Sequence, residues 1–180
     1  MGDDDIVIGV TFSGESRAYP IRILNWHEIA NDRVGGTDIL VSYCPLCGTG
    51  IVFDSRINGK VHTFGVSGLL YNSDLLMYER GTKESSLWAQ ILGEAVVGPL
   101  TGTKLTVLPS VQTTWGEWKA QHPDTKVLDV NTGYSRDYGR NPYSGVTVQV
   151  VYGENSAGLS LSKSAGLNLS KSAGLSLSKP

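Results

Sequence analysis

The apolar segments of this sequence are short, and glycine-rich turns separate them along most of the chain. The 180 residues include 22 glycines, and glycine favours turns over the interior of long helices. Segments with the alternating pattern of strands recur between these turns, and Asn58-Gly59 is a typical two-residue hairpin turn. Helical spacing is limited to residues 21–30 and 113–122, where Thr113 or Thr114 would cap the second helix.

This pattern predicts a mostly β fold (β-rich α+β) with about eight to ten short strands and two short helices. We expect the strands to form a compact antiparallel barrel or sandwich. Alternation of strands with long amphipathic helices is lacking in the sequence, which argues against a thioredoxin-type or Rossmann sheet. The chain divides into a single globular domain at 1–155 and an extended, strand-like tail at 156–180.

The charge of the chain is uneven, and its distribution argues against one class of partner. The formal net charge is -2, and all 17 acidic residues lie within residues 1–155, whereas the tail has three lysines and no acid. Proteins that bind nucleic acid concentrate Lys and Arg, so we expect no nucleic-acid partner. No apolar run approaches the roughly 20 residues that span a bilayer, so we expect no membrane span.

Both cysteines lie in one tight turn, Cys44-Pro45-Leu46-Cys47, between two apolar runs. Pro45 and Gly48 favour a rigid turn. Two sulfurs at this spacing can close a disulfide, exchange thiols with a partner, or supply half of a metal site for copper or zinc. Thiol exchange is favoured by a helix N-terminus beside the sulfur, whereas a strand follows here. The sequence leaves these interpretations open.

A metal site at this turn would need further ligands, because the chain has no second Cys-x-x-Cys pair. His27 is the leading candidate, since the neighbouring carboxylate of Glu28 would orient its ring. His62 and Met77 are additional candidates. The alternative interpretation of His27 is a core histidine that a backbone group satisfies.

Three further polar residues, Tyr71, Asn72 and Asp74, lie within an apolar stretch. Buried polar groups need partners, so these residues predict one wall of a pocket or a structural network. Arg136 would close over the same pocket or bind an anion, with a solvated loop as the alternative. No nucleophile elbow, phosphate loop, zincin helix or EF-hand pattern occurs, so no catalytic residue is assigned and a non-enzymatic protein is favoured.

Several segments carry motifs that belong together, and they include the Cys-x-x-Cys turn. They are residues 17–29, 43–49, 63–78, 86–88 and 132–138. Together these motifs resemble the prokaryotic domain of unknown function 3179 family over about residues 6–145. The resemblance implies no particular activity, but it implies an exported protein that is periplasmic, on the cell surface or secreted. The tail after Tyr152 departs from the family pattern.

Residues 156–179 are three copies of an eight-residue unit. Alanine, leucine and lysine alternate strictly with serine, glycine or asparagine, which is the pattern of a strand with one apolar face. An isolated strand is not stable alone, so we expect the tail to add as a strand to other copies of the protein, and such head-to-tail contacts build filaments. A flexible or engineered linker, a folded-back strand and a small β-solenoid are the alternatives.

The expected function is therefore an exported structural subunit that self-assembles and keeps a Cys-x-x-Cys/His site as a disulfide or metal site. The alternative is an extracytoplasmic copper-binding or thiol-redox protein, acting as an enzyme or in electron transfer, that uses Cys44, Cys47 and His27. Asn168 lies in an acceptor triplet for N-glycosylation. The residues expected to carry assembly are the leucines and lysines of the repeats: Leu159, Leu161, Lys163, Leu167, Leu169, Lys171, Leu175, Leu177 and Lys179.

Overall fold

The computed structural model describes residues 1–145 and the pair Leu175–Ser176. Apart from the backbone of Leu175, the residues expected to carry assembly lie outside the described part of the chain, as does Asn168. The expected mostly β fold with two short helices is confirmed. None of the described helices is long and apolar enough to cross a membrane.

Short strands dominate the described chain, and the two helices have seven residues each. The helices are α1 (Ile21–His27) and α2 (Trp115–Gln121). In chain order, the strands are β1 (Ile6–Phe12), β2 (Glu15–Pro20), β3 (Ile29–Val34), β4 (Thr37–Cys44), β5 (Thr49–Asp54), β6 (Arg56–Ile57), β7 (Lys60–Val61), β8 (Phe64–Tyr71), β9 (Asp74–Glu79), β10 (Leu87–Ala89), β11 (Glu94–Val97), β12 (Val107–Leu108), β13 (Val111–Thr114), β14 (Lys126–Val127) and β15 (Leu175–Ser176).

Among the described residues these strands form three sheets and a two-stranded ribbon. The first sheet has the order β13-β1-β2-β14, the central sheet β12-β5-β4-β3-β15, and the third sheet β11-β10-β9-β8, while β6 and β7 form the ribbon. The pairs β14 with β2 and β15 with β3 are parallel, and the other described pairs are antiparallel. The expected antiparallel architecture is thus observed.

The central sheet is buried on both faces, because side chains along β4 alternate between two apolar clusters. Val41 packs in a cluster with residues of the first sheet and α1, such as Ile8. Leu40 and Cys44 pack in a second cluster with residues of the third sheet, such as Trp88. The expected sandwich is therefore extended to three layers, and Cys44 lies between the central and third sheets.

Helix α1 ends at His27, short of residue 30, where the apolar spacing places its end. Glu28 follows in the left-handed region with φ 58°, and its N–H donates to the carbonyl of Leu24 at 2.7 Å. From Ile29 the chain pairs with β4 as strand β3. Pairing with β4 thus outweighs the helical spacing of the apolar residues. This pairing is a tertiary interaction, and the local sequence pattern does not predict it.

Helix α2 lies directly on β1. It begins after Thr114, one of the two predicted caps, whose hydroxyl accepts a hydrogen bond from the N–H of Glu117 at 3.3 Å. A Cβ on Gly9 of β1 would lie 2.4 Å from the ring of the buried Trp118. Glycine at this position therefore permits the helix and the strand to approach so closely.

Asn31 joins the central sheet to the third sheet from a buried position on β3. Its Nδ2 donates to the carbonyl of Phe64 at 2.9 Å, and its Oδ1 accepts from the N–H of Phe64 at 2.7 Å. One side chain thus satisfies both backbone polar groups of the first residue of β8.

Candidate metal centre

The two cysteines lie at the turn between β4 and β5. Cys44 is the last residue of β4 and pairs in register with Thr49. The N–H of Cys47 donates to the carbonyl of Cys44 at 3.2 Å, and Gly48 follows in the left-handed region with φ 64°. This tight turn, which the sequence predicts, brings the two Sγ atoms of the free thiols to 3.0 Å.

A second hairpin turn brings a carboxylate to the same place. Asn72 and Ser73 connect β8 to β9 with φ values of 50° and 64°, and Tyr71 pairs with Asp74 across the turn. Two consecutive residues with positive φ are typical of tight hairpins. Oδ1 of Asp74 consequently lies 3.9 Å from Sγ of Cys47.

Cys44, Cys47 and Asp74 form one group of potential ligands, with ligand atoms that all lie within 4.8 Å of one another. The Cys44 thiol and the Asp74 carboxylate belong to buried residues, whereas Cys47 is exposed. The group is therefore held by the protein on one side and open to solvent on the other.

Neighbouring groups orient this cluster. Oδ2 of Asp74 accepts from the N–H of Ile91 at 2.8 Å, which leaves Oδ1 on the side of Cys47. The fully buried Gln90 donates through Nε2 to the carbonyl of Thr49 at 3.0 Å and to Oγ of Ser42 at 3.2 Å. These contacts tie the β4–β5 turn to the loop after β10, and neither Gln90 nor Ile91 is recognisable as part of a site from the sequence.

Burial raises the pKa of each of the three groups. The pKa of the Cys44 thiol rises to about 12, and those of Cys47 and Asp74 also lie above their ordinary values, because the protein excludes water from the charged forms. A thiol with a raised pKa is largely protonated at neutral pH and is a weak nucleophile. The arrangement thus does not favour thioredoxin-like exchange, whereas a bound cation would stabilise the deprotonated thiols.

The structure does not bring His27 into this group, although the sequence makes it the leading additional ligand. His27 is buried at the end of α1, and its Nε2 lies 2.7 Å from the hydroxyl of Tyr138. The rings of Tyr134 and Tyr138 pack against it, with centroids at 5.5 and 5.8 Å. Burial, together with the charge of Arg136, lowers the pKa of His27 to about 4.

The other sequence-derived candidates are also dispersed. Tyr71 is the last residue of β8 and Asn72 lies in the β8–β9 turn, so both are beside Asp74. The guanidinium of Arg136 lies elsewhere, over the ring of Trp26, with Cζ 6.0 Å from the centroid. Met77 is fully buried in the apolar cluster that contains Trp88. His62 follows the ribbon and donates its N–H to the carbonyl of Ser55 at 3.0 Å, and it is not among the three grouped ligands.

A second polar cluster, which the sequence does not reveal, holds residues 131–145 against the end of α1. Three consecutive residues of the chain each contact this loop. Nε1 of Trp26 donates to the carbonyl of Arg140 at 3.1 Å, His27 contacts Tyr138 as described, and the carboxyl of Glu28 accepts from the hydroxyl of Tyr143 at 2.5 Å. We call these three contacts the loop clasp.

Comparisons with known proteins give one match. The model of a family described as "Protein of unknown function (DUF3179)" matches residues 1–170. This confirms the resemblance seen in the motifs and extends it into the repeats, which the motifs alone place outside the family pattern. No curated protein and no solved structure matches the chain. Location outside the cytoplasm stays a prediction.

Proposed function

The chain belongs to the DUF3179 family, and we propose that it is a metal-binding protein that holds one zinc ion through Cys44, Cys47 and Asp74. The observation that carries the proposal is the grouping of two thiols and a carboxylate within 4.8 Å at the meeting point of two hairpin turns. Rigid turns on packed strands are suited to hold ligands in a defined geometry.

The distances between the ligand atoms fit a tetrahedral zinc ion after a small movement of one side chain. With Zn–S bonds of about 2.3 Å, two sulfurs in a tetrahedral site lie about 3.8 Å apart. A sulfur and a carboxylate oxygen on the same ion lie about 3.5 Å apart, and the distance of 3.9 Å between Sγ of Cys47 and Oδ1 of Asp74 is slightly longer. The sulfurs of Cys44 and Cys47, at 3.0 Å, must separate. Cys47 is exposed, so a rotation of its side chain can make this adjustment while the backbone of the turn stays in place.

The mixture of ligands favours zinc over copper. Copper(I) prefers soft sulfur ligands, whereas zinc accepts sulfur and carboxylate oxygen together. Cys44, Cys47 and Asp74 would hold the ion, and a zinc with three protein ligands would supply a Lewis acid to a water or to a donor atom of another molecule. This chain's own residues bind the ion, and the N–H of Ile91 fixes the orientation of the Asp74 carboxylate.

Metal analysis of the reduced protein tests the proposal. We expect about one zinc per chain after reconstitution and desalting, and a loss of at least tenfold in zinc affinity for Cys44→Ser and for Asp74→Asn, because each removes a ligand. His27→Gln is the matched control and should retain zinc, since His27 lies in the loop clasp. Inductively coupled plasma mass spectrometry gives the stoichiometry, and competition with a chromophoric chelator gives the affinity.

Three results would contradict the zinc site. The first is that the reduced wild-type protein takes up no zinc. The second is that His27→Gln loses zinc as completely as Cys44→Ser does. The third is that Asp74→Asn binds zinc as tightly as the wild type does. In an anaerobic copper(I) titration, binding that is tighter than that of zinc and insensitive to Asp74→Asn would identify a two-sulfur copper site instead.

Self-assembly through the repeats is the second candidate function. The backbone of Leu175–Ser176 pairs with Ala30 and Asn31 of the same chain, as in the folded-back alternative, so the edge of β3 accepts a strand from the tail. Assembly requires that the same addition occur on a neighbouring copy, as in other cases of strand addition. The acidic character of residues 1–155 and the three lysines of the tail favour such a contact.

Deletion of residues 156–180 should therefore give a monomer, whereas the full chain should form larger species. Light scattering after size exclusion measures the mass of each, and electron microscopy shows whether the larger species are filaments. A chain with a scrambled tail of the same composition is the matched control and should behave as the deletion does. An assembled deletion variant, or a monomeric full chain, would rule this function out.

A further inference from the structure

The Sγ atoms of Cys44 and Cys47 lie at a separation between those of two chemical states. They are 3.0 Å apart, whereas two sulfurs on one zinc ion lie about 3.8 Å apart and two sulfurs in a disulfide about 2.05 Å apart. Rotation of the exposed Cys47 side chain in one direction or the other leads to either state. The two states exclude each other, because a sulfur in a disulfide is no longer a thiolate ligand.

The backbone of the β4–β5 turn also permits a disulfide. The N–H of Cys47 donates to the carbonyl of Cys44 at 3.2 Å, which is the hydrogen bond of a β-turn. The first and last Cα atoms of a β-turn are less than about 7 Å apart, and disulfides join Cα atoms about 4.4–6.8 Å apart. Closure therefore needs movement of side chains, and the pairing of Cys44 with Thr49 is kept.

We propose that oxidation of Cys44 and Cys47 to a disulfide releases the zinc ion, which makes the metal centre a redox-sensitive switch. This inference rests on the proposed zinc site. The exposed sulfur of Cys47 meets the oxidant, and the buried sulfur of Cys44 resolves the first oxidation product. Redox-sensing cysteines are typically accessible to solvent and lie next to a second cysteine that closes the disulfide.

The oxidant is a peroxide, and hydrogen peroxide gives a balanced reaction. The Cys47 thiolate attacks one peroxide oxygen, the O–O bond breaks, and a sulfenic acid and a hydroxide form. The Cys44 thiolate then attacks the sulfenic sulfur, the S–S bond forms, and a second hydroxide leaves. Two protons from solvent convert the hydroxides to water. Two electrons pass from the sulfurs to the peroxide, and the zinc ion leaves with its charge unchanged.

Oxidation also changes the contact between the two hairpin turns. Sγ of Cys47 lies 3.4 Å from the carbonyl oxygen of Ser73 and 3.9 Å from Oδ1 of Asp74. A thiol donates a hydrogen to such oxygens, whereas a disulfide sulfur has none to donate. Of the three proposed ligands, the Asp74 carboxylate alone remains in the oxidised state, and structural zinc sites use four ligands.

Peroxide treatment of the reduced, zinc-loaded full chain tests the switch. We expect about one zinc to be released for each disulfide formed, because both thiolates leave the ion together. A chromophoric chelator measures the released zinc. Intact mass spectrometry shows the loss of two hydrogen atoms, which peptide mapping assigns to Cys44 and Cys47. Dithiothreitol should then restore both thiols and zinc binding, since the exposed Cys47 is open to thiol–disulfide exchange.

Two comparisons separate oxidation from a simple loss of metal. Zinc-loaded protein without peroxide should keep its zinc at the same chelator concentration. Asp74→Asn is the matched variant, because it keeps both cysteines and removes the third ligand. It should form the disulfide as the wild type does, although its zinc affinity is lower.

The results distinguish this inference from the zinc site on which it rests. Zinc-loaded protein that keeps its zinc after the disulfide has formed, or that keeps both free thiols in peroxide, would overturn the switch and leave the zinc site standing. Zinc release by an oxidation that dithiothreitol does not reverse would overturn the switch as well. A reduced protein that binds no zinc would overturn both proposals, even if peroxide closes the disulfide.

Discussion

Replacement of Asn31 by leucine should lower the free energy of unfolding by about 3 kcal/mol. The two side chains are similar in size, so the variant changes mainly the hydrogen bonding. The wild-type amide satisfies both the N–H and the carbonyl of Phe64 in a buried position between two sheets. Leucine leaves both backbone groups without a partner, and each buried polar group that loses its partner costs about 1–3 kcal/mol.

Urea unfolding followed by circular dichroism measures this effect. Asn131→Leu makes the same chemical change at an exposed loop position and should stay within about 0.5 kcal/mol of the wild type. Asn31→Asp provides a further comparison, because aspartate keeps the acceptor for the N–H of Phe64 but loses the donor for its carbonyl. If Asn31→Leu is as stable as Asn131→Leu, the contact does not join the sheets as we infer.

Acidification should destabilise the protein through His27. The pKa of His27 is about 4 in the folded chain, against about 6.5 for an ordinary histidine, because burial and the charge of Arg136 disfavour the imidazolium. Between these two values the unfolded chain binds more protons than the folded chain. The contribution is therefore fully present above about pH 6.5 and is lost as the pH falls toward 4.

At about pH 5 this group alone should lower the stability by about 2 kcal/mol relative to pH 7. His27→Gln lacks the ionisable ring but keeps a group that can contact Tyr138, so its stability should fall less over the same interval. The difference between wild type and variant isolates His27 from other groups that titrate in this range. Parallel stability curves for the two proteins would show that His27 is not buried as a neutral ring.

The hairpins and turns of this protein are predictable because their signals are local. Asn58-Gly59 connects β6 to β7, and both residues have the positive φ values that the turn requires. The Cys-Pro-x-Cys-Gly sequence predicts the β4–β5 turn and the proximity of its sulfurs. Each of these features depends on the conformations of neighbouring residues and on little else.

The sequence could not predict which residues meet at the candidate metal centre. Asp74 is 27 positions from Cys47 along the chain, and it reaches the sulfurs because β9 lies in the third sheet opposite the end of β4. His27 is closer to Cys44 in sequence, but α1 lies on the other side of the central sheet, with the first apolar cluster. Sequence spacing contains no information on which ends of stacked sheets meet.

The sequence by itself determined the β-rich class, the tight cysteine turn and membership of the DUF3179 family. Those properties arise from residue alternation, backbone preferences and motifs that short segments carry. Only the tertiary structure decided that Asp74 rather than His27 accompanies the two sulfurs, and that Arg136 and Arg140 of a distant loop lie over the ring of Trp26. Side-chain groups separated along the chain are brought together by the stacking of sheets and the docking of loops, and this depends on the packing of the whole core.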